Sequence, residues 1–262
     1  MKRVLFLSFF LLALSVASNA QNEHEKYDEP VVIYSHQLFG GFHFHTNGYG
    51  GTFSLGWFKG ARNVRLASID VLFMKHEKET RSWNPIYQDA RSYIYGKVNN
   101  LYIVRPGFGM KKMITDKLRR SGVSVGYTWE IGPCLGFTKP VYLEVIYTDP
   151  LTDNQYLVSE KFDPDLHFSD NIFGRSSGLK GFGELGFEPG LFAKFSLNFE
   201  YSDLKDRLKG IETGVAVDAF SRRVPIMSEQ ILAEGQVEKA RNHQLFLTFY
   251  INLFFGKKYN KE

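Results

Sequence analysis

Between residues 245 and 255 the apolar side chains fall on every second position. Leu245, Leu247, Phe249, Ile251, Leu253 and Phe255 share one face, against Gln244, Thr248 and Asn252 with Phe246, Tyr250 and Phe254 on the other. Successive side chains of a β-strand point to opposite sides, so a strict period of two over about ten residues requires a strand with one wholly apolar and one mixed face. That is the pattern of a strand in a closed barrel, whose two faces meet different surroundings.

The period recurs upstream. Leu191, Ala193, Phe195, Leu197 and Phe199 alternate with Lys194, Ser196, Asn198 and Glu200. Ile211, Val215, Val217 and Ala219 alternate with Glu212, Gly214, Asp218 and Arg222, and Val123, Val125, Tyr127, Trp129 and Ile131 with Ser124, Gly126, Thr128, Glu130 and Gly132. A weaker run sets Tyr102, Val104, Phe108 and Met110 against Arg105, Gly107, Gly109 and Lys111, with Pro106 as an irregularity. Ala67, Ile69, Val71 and Phe73 alternate with Ser68 and Asp70.

Asn47-Gly48 is a strong two-residue hairpin signal. Pairing Thr46 with Tyr49 sets Phe42 opposite Phe53, Gly40 opposite Leu55 and Leu38 opposite Trp57 on one face, and His45 opposite Gly50, His43 opposite Thr52 and Gly41 opposite Ser54 on the other. A one-residue slip would scramble both faces. About eight strands result, at 36–46, 49–59, 63–75, 99–112, 121–134, 190–201, 210–222 and 243–255. Long connections at 76–98, 135–189 and 223–242 alternate with short ones such as Lys59 to Arg62.

The start of the chain predicts export. Lys2 and Arg3 precede an apolar stretch from Val4 to Val16, and Ser18-Asn19-Ala20 supplies small residues at a cut site, so residues 1–20 read as a signal peptide cleaved after Ala20. The apolar stretch is shorter than the roughly 18 to 20 residues of a spanning helix. Residues 21–35 form a polar N-terminal segment, 36–256 the barrel, and 257–262 a polar tail. The leader takes two of the 32 basic residues and none of the 28 acidic ones, leaving +2. So small an excess argues against nucleic acid as a partner. Cys134 is the only cysteine, which excludes an internal disulfide.

The leader, the eight alternating strands, the loop asymmetry and the aromatic-rich closing strand resemble the small outer-membrane β-barrel proteins of Gram-negative bacteria. The resemblance covers nearly the whole mature chain and carries no diagnostic motif. It implies an all-β fold, an antiparallel up-and-down transmembrane barrel with long loops on one side, located in the outer membrane. The 16% aromatic content and 24 glycines agree with that class. Partners are then outer-membrane lipid and other outer-membrane proteins.

Several constellations invite chemistry. His43 and His45 share a strand face, where they would ligate a metal or serve a lipid hydrolase, but no third ligand or serine partner accompanies them. Asp70, His76 and Glu77 lie near one strand end, as a rim protease would need. Gly181-Phe182-Gly183-Glu184-Leu185-Gly186 fits a G-x-G-x-x-G string, without the strand and helix that a phosphate cradle requires, and reads as a flexible or closely packed part of the longest loop. Asp163, Asp165 and Asp170 lack calcium-ligand spacing. Cys134 lacks a base. Arg65, Asp70, Arg105, Lys111, Glu130, Lys194, Glu200, Glu212, Asp218 and Arg222 are placed on the inner face, where they read as an ion-pair network filling the lumen and not as a pore. Val141 to Tyr147 and Gln155 to Phe162 flank Asp149-Pro150-Leu151-Thr152-Asp153-Asn154 as a hairpin extending beyond the barrel.

No catalytic, metal or cofactor residue is assigned on these grounds. The expectation is a non-enzymatic barrel acting as a structural or accessory subunit of a larger envelope complex, of secretion or barrel-assembly type. A lipid-modifying or proteolytic barrel enzyme and a soluble lipocalin-like binder stand as alternatives. Mass spectrometry of the exported protein should find Gln21 as its first residue; an intact leader would contradict the reading of residues 1–20.

Overall fold

The computed structural model describes residues 34–84, 86–87, 89–115, 122–202, 206–229 and 241–260. The leader, nearly all of the polar N-terminal segment, part of the 223–242 connection and the last two residues lie outside that range. Among the described residues the strands are β1 (His36–His45), β2 (Gly48–Phe58), β3 (Asn63–Met74), β4 (Arg81–Ser82), β5 (Tyr93–Ile94), β6 (Asn99–Met113), β7 (Ser124–Pro140), β8 (Tyr142–Thr148), β9 (Gln155–Lys161), β10 (Ile172–Arg175), β11 (Gly186–Glu200), β12 (Arg207–Phe220) and β13 (Leu245–Tyr259).

Eight of them close an antiparallel barrel in the order β1-β13-β12-β11-β7-β6-β3-β2. Each barrel strand pairs with its successor along the chain, and β1 pairs with β13 from His36↔Tyr259 to His45↔Tyr250. Short links and both ends of the described chain lie at one end of the barrel, the turn end. The long connections and the β1–β2 hairpin lie at the other, the loop end.

The alternation sorts the faces as expected. On every barrel strand the apolar set points outward and the mixed set inward. An eight-stranded barrel is just wide enough for side chains to fill it, and here the filling is layered. Toward the turn end Phe39, Val64, Leu66, Leu208 and Phe254 pack together. Toward the loop end Leu72, Leu101, Ile103, Phe192, Phe220 and Phe246 pack against Val224, Ile226 and Met227, which fold over the mouth from the last long connection.

Between these layers lies the charge. Arg105 pairs with Asp218, both fully buried. The Lys194 ammonium stands 3.2 Å from Asp70 and 3.3 Å from Glu130. Thr52 donates to Asp70 at 2.6 Å, Ser68 to Glu130, and Tyr250 to Glu212 at 2.6 Å. A buried charge is tolerated when it is paired and hydrogen-bonded, and removing one partner strands the other.

Five expectations are corrected. The first hairpin pairs His45 with Gly48, not Thr46 with Tyr49, so Gly40 faces Phe53 and Phe42 faces Gly51. The slip is two residues, so every side chain keeps its face. Gly48 belongs to the strand because a Cβ there would meet the Phe73 carbonyl oxygen at 2.0 Å, as one at Gly50 would meet that of Val71 at 2.1 Å. These glycines serve the close approach of β2 to β3 rather than the turn.

Arg65 points outward and is exposed, since it shares the parity of Ala67 and Ile69. Arg222 lies two residues beyond β12 with its side chain 69% exposed and grips the buried Glu188 at 2.6 and 2.8 Å. β7 and β11 run past the ends expected for them, pairing with each other up to Thr138 and Gly186 despite Pro133 and Pro189. The tail is not free either: β13 continues to Tyr259, and Lys258 turns inward to Glu200 at 2.8 Å.

Replacing Arg105 with Met strands Asp218 in the lumen and should cost about 3–5 kcal/mol. Adding Asp218→Leu should restore most of that loss in urea unfolding of the detergent-folded protein. A double variant as weak as the single one would show that the pair is not the unit of stability.

Candidate functional site

The long connections build a cap over the loop end. β8 and β9 form the expected hairpin, and β10 adds on the far side to give a sheet in the order β10-β8-β9. Its tip is fixed locally: the Asp149 carboxylate accepts from the Leu151 amide at 2.9 Å and the Thr152 hydroxyl at 2.8 Å, and Asp153 takes a left-handed conformation that aspartate tolerates. Those two donors hold the Asp149 carboxyl below the usual carboxylate range.

Leu143, Val145, Phe162 and Ile172 form a small core that the 75–98 connection completes with Tyr93, Tyr95 and Val98. Asn84 ties the two segments, donating to the Ile172 carbonyl at 2.7 Å and accepting from the Ile86 amide at 2.8 Å. The third long connection is tied in the same way. The Asn242 side chain accepts from the Ile226 and Met227 amides at 3.0 and 3.1 Å and donates to the Met227 carbonyl at 2.8 Å. Val98 and Asn99 both donate to the Ile226 carbonyl. Lys97 is buried with Glu79 at 2.7 Å, and burial pushes its ammonium below the usual lysine range, with Glu79 opposing the shift.

Two features of the cap face outward. Among the described residues β9 has a strand on one side only, and Tyr156 and Leu157 on it are about half exposed. A cleft of about 670 Å³ opens where the sheet meets the mouth plug, lined by Phe162, Pro225 and Met227 with Lys161, Asp163 and Arg223 among its charged walls. An unpaired strand edge offers a row of backbone donors and acceptors to an added strand.

The candidate chemical groups do not assemble. His43 is buried in the lumen, stacked on Tyr250 at 4.4 Å, with His45 5.8 Å away. Asp70 sits in the lumen beside Lys194, whereas His76 is at the rim stacked on His243, so the rim triad is not brought together. Gly181 (φ 87°) leads into a single turn of 3-10 helix at Phe182–Glu184 and then β11, with no long helix to hold a phosphate. The Cys134 thiol is buried and donates to Asp218 at 3.4 Å. Asp163 accepts from the Asp165 amide within its own turn. Among the described residues no three histidine, cysteine or carboxylate groups converge as metal ligands.

The sequence reading missed one feature of the outer wall. Phe44, Tyr49, Phe73, Tyr102, Phe137 and Phe187 are successive direct cross-strand partners over six neighbouring strands, making a continuous aromatic row at the loop end. Ring centroids along it lie 5.4 to 5.7 Å apart where they touch. It also missed the mouth plug, whose signal was present: Val224, Ile226 and Met227 are apolar residues in what reads as an exposed loop.

Known protein families, curated proteins and solved structures were compared with this chain, and none matches.

Asn242→Ala leaves the Met227 amide and carbonyl without their partner, each costing about 1–3 kcal/mol, while the Ile226 amide keeps the Val224 carbonyl. Hydrogen exchange should accelerate at 225–229 and 96–99 while the barrel strands stay protected; unchanged exchange would mean that the plug is held by packing alone.

Proposed function

We propose that the protein is an outer-membrane barrel with a filled lumen that acts without catalysis, presenting its cap to other envelope proteins as an accessory subunit. The observation that carries this reading is the outer wall. From Ile211 to Ala219 and from Leu245 to Phe255 no outward residue is charged, and the same holds on β7 from Val125 to Phe137 and on β11 from Phe187 to Phe199. Along β13 the uncharged face spans a height of about 25 Å at the usual strand tilt, the thickness of an outer-membrane apolar band. The aromatic row along its upper margin lies where such barrels carry their girdle.

The inside-out polarity favours this over a soluble binding barrel, which keeps an apolar cavity within and charge without. The charged layer between two apolar plugs argues against conduction. With the lumen occupied, the cap is what remains for interaction, and its open β9 edge suits an extended segment of a partner adding as a fourth strand.

Affinity purification of an internally tagged protein from outer membranes in mild detergent should bring down larger membrane proteins in fixed ratio. Tyr156→Asp with Leu157→Asp should abolish that recovery without changing the barrel's resistance to unfolding. A lone barrel would refute the accessory role, and release with the periplasmic contents, without detergent, would refute the membrane reading.

A further inference from the structure

At the turn end the outer wall changes character within one step of the strand. Above lie Ile211 on β12 and Phe255 on β13, both exposed. Below lie Lys209, Arg207 and Lys257, all outward and exposed. Arg207 and Lys257 are direct cross-strand partners, and Lys209 stands on the same face opposite Phe255.

Opposed residues on a sheet keep their Cβ atoms about 4.5–5.5 Å apart, and alternate residues of one strand about 7 Å. Three long cationic side chains therefore spring from positions close enough to reach one phosphate group. Like charges directly opposed destabilise a sheet, more so beside a low-dielectric wall, so this register calls for an anion. The described part of the chain does not supply one. None of the three makes an ion pair there, and Lys257 has only the Tyr259 ring, 6.0 Å away. Asp206, next to Arg207, contributes its backbone carbonyl to the Lys258 amide, and Lys258 itself is turned inward to Glu200.

The surroundings select the anion. Tyr201, 44% exposed, flanks the group, its amide donating to the Lys209 carbonyl at 2.9 Å. Directly above runs the uncharged lane of Ile211, Phe255 and Ile251. The cations face sideways at the foot of that lane, so the fitting ligand carries a phosphate at one end and an apolar chain rising from it.

We propose that Arg207, Lys209 and Lys257 form a binding site for the phosphate of an anionic phospholipid in the periplasmic leaflet, its acyl chains lying along the β12–β13 lane. The site rests on the membrane reading given above. Each basic residue near a membrane surface adds attraction for anionic lipid, and three acting at one point make retention selective. Arg65 and Lys112, diagonal neighbours on β3 and β6, are outward cations of the same end outside this group.

The test titrates phosphatidylglycerol, and separately phosphatidylcholine, into the detergent-solubilised full chain, with bound lipid counted by native mass spectrometry. The expected result is retention of phosphatidylglycerol over phosphatidylcholine, weakened at least tenfold by combined Arg207→Gln, Lys209→Gln and Lys257→Gln and little changed by Arg65→Gln with Lys112→Gln. Undiminished retention in the triple variant would overturn the site. An equal loss in the double variant would overturn it in favour of diffuse attraction. Displacement of the lipid by millimolar inorganic phosphate would overturn the lipid assignment. Insertion of both variants into phosphatidylcholine vesicles, read as protease protection, keeps the two readings apart: a wild-type chain that fails to insert removes the membrane reading and this site with it.

Discussion

The ion pairs in the lumen are the constraint around which the rest is arranged. Arg105 with Asp218, and Lys194 with Asp70 and Glu130, place charge at the middle of a space only a few side chains wide. Such groups are tolerable only while paired, so strand order and register must bring together residues far apart in the chain: Asp70 and Lys194 are 124 positions apart. Each apolar layer above and below them withholds water. With most of the polar inventory committed to the inside, the outer wall is left largely to apolar side chains.

The cap follows from the same economy of space. Since the lumen is full, residues beyond the barrel need a core of their own, which the 75–98 and 141–185 connections assemble jointly around Leu143, Tyr93 and Ile172. Asn84 and Asn242 serve as clamps because an amide side chain can satisfy backbone donors and acceptors together in a segment without regular structure. Among the described residues the outer edge of β9 has no strand beside it.

The strands were legible because a period of two needs no knowledge of the partner strand. The hairpin register was legible only to within an even slip, since moving by two preserves both faces; the space available to Gly48 and Gly50 beside β3 decided it, and that lies in another strand. Arg65 was misplaced although the parity of Ala67 already assigned it outward. Pro133 and Pro189 hid the upper parts of β7 and β11 because their missing amides are tolerated where the two strands pair with each other. Which cation meets which carboxylate depends on closure and stagger of the whole barrel, and so does the aromatic row, whose members come from six separate strands. The cap's hairpin was readable from Asp149 to Asn154, while the open edge of β9 emerged only once β10 was seen on the opposite side of β8.

The seam between β1 and β13 bears on how the chain reaches this state. His36 pairs with Tyr259, so the last bond of the ring joins segments that leave the ribosome more than two hundred residues apart. Bringing such distant ends together is a slow, entropy-limited event, and until it happens both edges of the sheet stand open. Four of the ten seam pairs, from His36↔Tyr259 to Phe39↔Gly256, use residues beyond Phe255. Until residues 256–259 dock on β1, four of the ten seam pairs stay open, and an open sheet edge is a template for pairing with another chain.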